Sequence, residues 1–525
     1  MTATSAQPEP AAATPTSRRK VLQALSGLMV GMFVSILAST VVANALPRII
    51  TDLQGTQTVY TWIVTTELLA MTATVPLWGK MADLYSKKLL IQLSLGLFVA
   101  GSLIAGLTPN VEILIVSRAV QGIGAGGMTA LSMVVMAAMI PPRELGRYSG
   151  IFGAVFGIGT VAGPLIGGVL VDTSWLGWRW CFLLGVPFTI VAIILLQRTL
   201  DLPVVRKKVK VDYLGALLIT AGVSTLLIWS SLAGNQFAWG SWQTAVLVGG
   251  GLLVLALAVF VESRAAEPII PLAIFKNRTV ALATIASALV GVAMFGGTVF
   301  LSQYFQVALG KSPTVAGLMS LPMVFGLLIS STVAGQLITK TGRWKGFLVA
   351  GGVVMLGGMG LLATIDGQTG SVMLGVYMAV LGIGVGMLMQ NLVLAAQNDV
   401  PAQDLGSTTS VLTFFRSMGG TIGVSALGAV LANRVTTLLT EKLGPMAAAG
   451  GGGDTHAVPD ISKLPAPVVR VIQDVYATAT AELFLIGVPL TVLALVAVLF
   501  IKEKPLATLS GEERLARERA AASGH

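Results

Sequence analysis

The chain has 525 residues, of which 54% are hydrophobic and 11% charged, and its formal net charge is +10. A soluble protein normally carries about 25% charged residues, so lipid must be the solvent for most of this chain. A single cysteine excludes an intrachain disulfide, and one thiol with two histidines excludes a structural zinc site. The positive charge does not indicate nucleic acid, because the basic residues lie in short segments between apolar runs.

Fourteen apolar segments are long enough to cross a bilayer, whose core of roughly 30 Å requires about 20 residues per helix. They predict spans at residues 21–44, 59–79, 89–107, 112–136, 147–171, 180–199, 213–233, 243–263, 280–308, 313–338, 346–364, 371–395, 408–432 and 477–501. The first segment is too long for a cleavable signal peptide, and no small-residue cleavage site follows it. The sequence therefore predicts an all-α integral membrane protein.

The lysines and arginines predict the orientation of these spans. With the N-terminus in the cytoplasm, 24 of the 33 basic residues fall on the inside, seven on the outside and two within spans. Because basic residues are enriched on the cytoplasmic side of membrane proteins, we expect both termini to be cytoplasmic.

Three segments outside the spans have their own composition. Residues 1–20 and the charged tail at 503–525 are predicted to be disordered and cytoplasmic. Residues 433–476 are predicted to form a long external loop, interpreted either as a mobile feature or as a simple linker.

Two cytoplasmic turns repeat one pattern. The first reads Gly79-Lys-Met-Ala-Asp83-Leu-Tyr-Ser-Lys87-Lys88, and the second reads Gly335-Gln-Leu-Ile-Thr-Lys340-Thr-Gly-Arg343. Each begins with a glycine and ends in basic residues. Internally duplicated halves are typical of secondary transporters.

With these turns, the chain resembles the major facilitator superfamily, and more closely its fourteen-span drug:proton antiporters. Further matching motifs are Arg118-Ala-Val-Gln121-Gly-Ile-Gly124 on the fourth span and Gly159-Thr-Val-Ala-Gly163-Pro164-Leu-Ile-Gly167-Gly168 on the fifth, where the family has its antiporter motif. Others are Tyr304-Phe-Gln306, Gly310-Lys-Ser312, Gln390-Asn391 and Phe414-Phe-Arg416-Ser-Met-Gly419-Gly420. The resemblance covers about residues 21–502. It implies two six-helix bundles, at 21–199 and 264–502, with two inserted spans at 200–263.

The sequence also bears on the energy source of transport. Gly122-Ile-Gly-Ala-Gly-Gly127 fits a dinucleotide pattern, but no strand precedes it and it lies in an apolar span, which excludes a nucleotide site. No phosphate-binding loop occurs in the sequence. We therefore expect no cofactor, and an ion gradient rather than ATP as the energy source.

Glu67 lies within the second predicted span and is the candidate proton site. The family usually has an aspartate on the first span, where this sequence has Ala38, so we hypothesise that the titrating carboxylate has moved to the second span. A charge inside the bilayer costs at least about 2.5–3.5 kcal/mol and is a functional hypothesis by default. The alternative is that Glu67 pairs statically with an arginine or reaches outward.

Arg118 is implied by the resemblance to help protons on and off the coupling site, with a purely structural hydrogen-bonding role as the alternative. Asp83 and Lys87, with Gly79 and Lys88 in the same turn, are predicted to form a charge latch between helix ends that stabilises one access state. Pro164 and the four glycines of the antiporter motif are interpreted as a pliable seam, or as ordinary small-residue packing.

The substrate cavity is predicted from polar residues within or beside the spans. The candidate lining residues are Asn44, Gln121, Tyr304, Gln306, Gln390, Asn391 and Arg416. The function expected is proton-coupled export of hydrophobic or cationic small molecules by a plasma-membrane monomer. The alternatives are export of one endogenous product, such as an antibiotic, lipid or siderophore, and a membrane scaffold that has lost transport. No nucleophile and base occur at a recognisable spacing, so an enzyme is not expected.

Overall fold

The computed structural model describes residues 18–53, 57–144, 176–200, 212–233, 237–265, 268–311, 313–443 and 466–523, with scattered positions between 145 and 175. The helices are α1 Arg18–Asp52, α2 Gln57–Leu84, α3 Lys87–Gly106, α4 Val111–Met139, α5 Trp180–Leu183, α6 Gly185–Thr199, α7 Tyr213–Leu232, α8 Trp242–Glu262, α9 Arg278–Val307, α10 Pro313–Met319, α11 Leu321–Thr341, α12 Lys345–Leu362, α13 Ser371–Asn398, α14 Leu405–Leu443, α15 Ala466–Phe500 and α16 Gly511–Ser523. The predicted disorder of residues 1–20 is wrong at its end, because α1 begins at Arg18, and residues 1–17 lie outside the described residues.

Eleven described helical segments are long and apolar enough to span a membrane. Three further predicted spans are α2, the shorter α7 and the segment at 147–171, where the described residues between 155 and 170 are helical. These observations confirm the all-helical membrane fold and are compatible with fourteen spans.

The two repeated turns end and begin their helices by local means. Ser86, where the family usually has glycine, caps the N-terminus of α3: its hydroxyl accepts a hydrogen bond from the backbone N–H of Leu89 at 3.4 Å. In the second turn, Gly342 ends α11 with a φ of +71°, a backbone conformation that glycine adopts without steric cost. Both devices allow a span to reverse direction within a few residues.

The helices form two bundles joined along α2 and α14. Within the first half, α4 packs against α2 and α3, and α1 packs against α6. Within the second half, α9 packs along α14 and α15, and α13 packs against α11 and α12. The inserted helices α7 and α8 pack on each other and touch the bundles mainly through α7. Only 11% of the apolar window of α8 is buried, so the inserted pair lies at the periphery.

The last two spans are longer than the sequence predicted. The predicted loop at 433–476 is wrong at both ends, because α14 continues to Leu443 and α15 begins at Ala466. Ion pairs hold these extensions together: Arg434 pairs with Glu482, and Lys442 pairs with Asp474. The glycine-rich part of the predicted loop lies outside the described residues.

The charged tail is ordered, which corrects the predicted disorder after residue 503. The Trp344 indole donates to the Lys504 carbonyl at 2.8 Å, and the Asn398 amide donates to the Pro505 carbonyl at 3.0 Å. Ser510 and Glu513 then cap α16 reciprocally, with the Ser510 backbone N–H donating to the Glu513 carboxylate at 2.7 Å. These contacts fix the tail against the second bundle.

Candidate functional site

Glu67 lies in the interior of the first bundle, with 2% of its surface exposed. One carboxylate oxygen, Oε1, accepts a hydrogen bond from the Ser39 hydroxyl on α1 at 2.8 Å. The other, Oε2, forms an ion pair with Arg118 on α4. The acid on α2 is therefore held from both neighbouring helices, and Ser39 is adjacent to Ala38, which occupies the place of the family's aspartate.

Arg118 is as deeply buried as Glu67 and has further partners. Its Nη1 donates to the Gln121 amide oxygen at 2.6 Å, and its Nε donates to the Ile63 carbonyl at 3.3 Å. Gln121 in turn donates to the Ser102 hydroxyl on α3 at 2.9 Å. A buried charge pair is stable only when its remaining donors and acceptors are satisfied, and this network satisfies them across four helices.

The sequence predicted Glu67 and Arg118 separately, and the structure brings them together. If Glu67 has only a structural role, this ion pair is the static pairing with an arginine that such a role requires. If Glu67 carries the transported proton, protonation would break the same ion pair. The glycine-rich run after Arg118 serves close helix packing: a Cβ at Gly122 would overlap the Glu67 backbone, and one at Gly124 would lie 2.6 Å from Phe98 N. This packing explains the glycines without a nucleotide.

Asp83 connects the two halves at the predicted cytoplasmic side. Its Oδ1 accepts from the Gly406 N–H at 2.9 Å, and its Oδ2 accepts from the Ser407 N–H at 2.9 Å and the Ser407 hydroxyl at 2.7 Å. The carboxylate therefore caps the N-terminus of α14, where exposed N–H groups and the helix dipole favour negative charge. Gly79 allows this approach, because a Cβ there would overlap the Ser410 side chain.

The predicted partner of Asp83 was Lys87, and this prediction is corrected by the structure. The hydrogen-bonding partners of Asp83 are on α14, while the Lys87 charge contributes only to lowering the pKa of the acid. Lys88 points elsewhere, since its Nζ donates to the Gln197 carbonyl at the end of α6 at 2.7 Å. The latch residues on the first half are thus Asp83 and Gly79.

Burial raises the pKa of Asp83 from 3.8 to about 6, against the lowering effect of its hydrogen bonds and of Lys87. Asp83 lies beyond the predicted span, which ends at residue 79. Because the closed arrangement binds this proton more tightly than hydrated Asp83 would, closure is favoured as pH falls from about 6 towards 3.8, and above about 6 the titration of Asp83 no longer changes the closure equilibrium.

We expect the Asp83→Asn variant to lose this pH dependence of closure. Labels on cysteines introduced at the exposed positions Arg198 and Lys340, after Cys181→Ser, would report the distance between the halves. Between pH 4 and 7 the distance distribution should shift towards closure on acidification in the parent. The exposed acid Glu144 provides the control, Glu144→Gln, which should behave as the parent. A shift that persists in Asp83→Asn would contradict this role.

The antiporter motif lies against α1, one turn from Ser39. The Thr40 hydroxyl donates to the Gly159 carbonyl at 3.2 Å, and a Cβ at Gly163 would overlap the Thr40 side chain. Gly167 is helical and buried, whereas Pro164 and Gly168 lie outside the described residues. The motif therefore allows the fifth span to approach α1 beside the Glu67 site.

Several predicted cavity residues have hydrogen-bond partners within the protein. Tyr304 is fully buried and its hydroxyl donates to the Asp366 carbonyl at 2.7 Å. Asn391 is buried and donates to the Met387 carbonyl of its own helix at 2.7 Å. Gln121 belongs to the Arg118 network described above. These three side chains satisfy their polar groups within the protein.

The other cavity candidates differ from these three. Gln306 is partly buried and donates to the Ser302 hydroxyl of its own helix at 3.2 Å. The Gln390 Oε1 is enclosed and has no hydrogen-bond partner among the described residues. Arg416 is 8% exposed on α14. The side chain of Asn44 lies outside the described residues.

A duplicated bundle of long apolar helices, with a buried ion pair and a capped junction between its halves, defines a polytopic membrane transporter. The sequence profile of the Major Facilitator Superfamily matches residues 28–424. The chain belongs to this superfamily, whose members are transporters rather than enzymes.

Named relatives agree with this assignment. The chain is 37% identical to the multidrug transporter protein MdtP of Bacillus subtilis over 82% of this chain and 78% of that protein. It is 31% identical to multidrug resistance protein 3 of Bacillus subtilis over 90% and 94% of the two chains. Its fold is similar to the solved structure of the proton:xylose symporter XylE, with a TM-score of 0.58, 14% identity and coverage of 96% and 100%.

Proposed function

We propose that this protein is a proton-coupled antiporter that exports hydrophobic or cationic small molecules from the cytoplasm. It would act as a plasma-membrane monomer with both termini in the cytoplasm, with no bound cofactor and no nucleic-acid partner. The names of the Bacillus relatives support the substrate class. The buried Glu67–Arg118 ion pair is the observation that carries the proton coupling.

Proton coupling would follow from the charge balance of the site. With Glu67 ionised, its charge and that of Arg118 cancel inside the bundle. A proton arriving at Glu67 would remove the ion pair, weaken the Ser39 contact and leave Arg118 with an uncompensated charge. A bound cation would favour the ionised acid and oppose this protonation, so substrate and proton would exclude each other. Such exclusion is what an exchanger requires.

Alternating access would use the junction between the halves. Capping of α14 by Asp83 favours closure at the predicted cytoplasmic side, while the close contact of the fifth span with α1 lies beside Glu67. A change in the charge of Glu67 could therefore be transmitted through Ser39 and Thr40 on α1 to the fifth span. The switch between access states would then depend on protonation.

The function is tested in inside-out vesicles with an imposed pH gradient. Adding a transported lipophilic cation should discharge the gradient in vesicles that contain the protein and not in vesicles that lack it. The same cation should accumulate in the lumen, and a proton ionophore should abolish the accumulation. Accumulation that persists with the ionophore would contradict proton coupling, and absence of accumulation for all lipophilic cations would contradict the substrate class.

A further inference from the structure

Arg416 is a second buried arginine, and its surroundings differ from those of Arg118. It lies eleven residues after the first residue of α14, which corresponds to about 17 Å of helical rise. Its residue surface is 8% exposed. A guanidinium at this depth in a membrane protein is expensive to bury and is expected to have an anionic or polar partner.

No such partner is provided by the part of the chain that the structure describes. Arg118 has a carboxylate, an amide oxygen and a backbone carbonyl within hydrogen-bonding distance. For Arg416, no described acceptor forms a hydrogen bond or ion pair with the guanidinium.

The chain directly before Arg416 is aromatic and closely packed. Phe415 forms edge-to-face contacts with Phe414 at 5.3 Å and with Phe275 at 6.3 Å between ring centroids. The backbone of Arg416 is pressed against α9, since a Cβ at Gly291 would overlap the Arg416 carbonyl oxygen. The Arg416 guanidinium is therefore a positive charge on a closely packed backbone, next to aromatic side chains.

We propose that Arg416 binds the carboxylate of an amphiphilic substrate, so that the exported compounds include lipophilic acids and zwitterions. The planar guanidinium matches a carboxylate through two parallel N–H···O hydrogen bonds, and the apolar surroundings suit the body of the ligand. This inference deepens the proposed export function and rests on it. The first bundle would respond to protons at Glu67, and the second would recognise the acid.

The test compares a lipophilic carboxylate with its primary amide as competitors of lipophilic-cation transport in inside-out vesicles. Because a hydrogen bond to a charged group contributes about 1.5–3 kcal/mol, the wild type should bind the carboxylate at least ~10-fold more tightly than the amide. Arg416→Gln should reduce this ratio to near one while the cation is still transported. The exposed arginine Arg470 provides the matched control, and Arg470→Gln should keep the wild-type ratio.

The remaining outcomes separate this inference from the proposed function. A carboxylate preference that persists in Arg416→Gln would overturn the inference while leaving export intact. If the wild type does not transport the cation, export is contradicted, and equilibrium binding of the carboxylate and amide in detergent still tests Arg416. Arg416→Lys, which keeps the charge without the bidentate geometry, replaces Arg416→Gln if the latter does not fold, and should give an intermediate ratio. Competition by millimolar chloride would assign the site to inorganic anions and overturn the inference.

Discussion

The Arg118→Gln variant should be severely destabilised, by roughly 3–5 kcal/mol, because it leaves the Glu67 carboxylate buried without its counter-charge. Glu67 is 2% exposed, so water cannot replace the missing guanidinium without local opening of the bundle. The Ser39 hydroxyl would remain as a hydrogen-bond donor but carries no charge. Reversible unfolding in detergent would measure the loss as a lower free energy of unfolding.

The double variant Glu67→Gln with Arg118→Gln isolates the charge effect. Two neutral amides of similar size can hydrogen-bond across the same gap, so most of the lost stability should return. Arg434→Gln is the matched control, since Arg434 also pairs with a glutamate but both side chains are well exposed, and it should cost little. Equal destabilisation in the single and double variants would show that the charge pair is not the cause.

The Glu67→Gln variant should abolish substrate-driven proton release from inside-out vesicles while retaining exchange of labelled for unlabelled substrate. Glutamine preserves the size of the side chain and can still accept from Ser39, but it cannot carry a proton between the two sides. The pH gradient in variant vesicles should respond to lipophilic cations no more than in vesicles that lack the protein.

Glu482→Gln is a suitable control for this variant. Glu482 also pairs with an arginine, but its carboxylate is 36% exposed. We expect it to transport with normal coupling. Unchanged proton release in Glu67→Gln would place the coupling acid elsewhere in the chain.

The fold was largely predictable because membrane spans depend on length and apolar composition alone. The segments predicted at 89–107 and 371–395 correspond closely to α3 and α13. The extensions of α14 and α15 were missed because they depend on pairs such as Lys442 with Asp474, which are 32 residues apart in sequence. Hydropathy does not report such contacts between polar helix ends.

The sequence of the tail contains a signal for helix formation. Ser510-Gly-Glu-Glu513 is the capping-box pattern that precedes a helix, and it begins α16. Charge composition alone favoured disorder. Docking of the tail additionally requires Trp344 and Asn398, and that contact could not be predicted from the tail itself.

The charged residues of the candidate site can be predicted from the sequence, but the residues that they contact cannot. Glu67 and Arg118 were identified because charges are rare in spans, but their pairing depends on how α2 and α4 are rotated. Ser39 and Ser407 were not singled out, because serines are common in membrane helices and their importance comes from position. Tyr304 and Asn391 are cavity candidates on residue type alone, and the sequence does not reveal their buried hydrogen bonds.

In the proposed mechanism, substrate and proton compete through Glu67. This competition can be measured as proton release when a lipophilic cation binds the purified protein in weakly buffered detergent solution, without a membrane or gradient. We expect the wild type to release up to about one proton per protein, and Glu67→Gln to release none despite cation binding. Equal release by both proteins would show that the competing proton is not on Glu67.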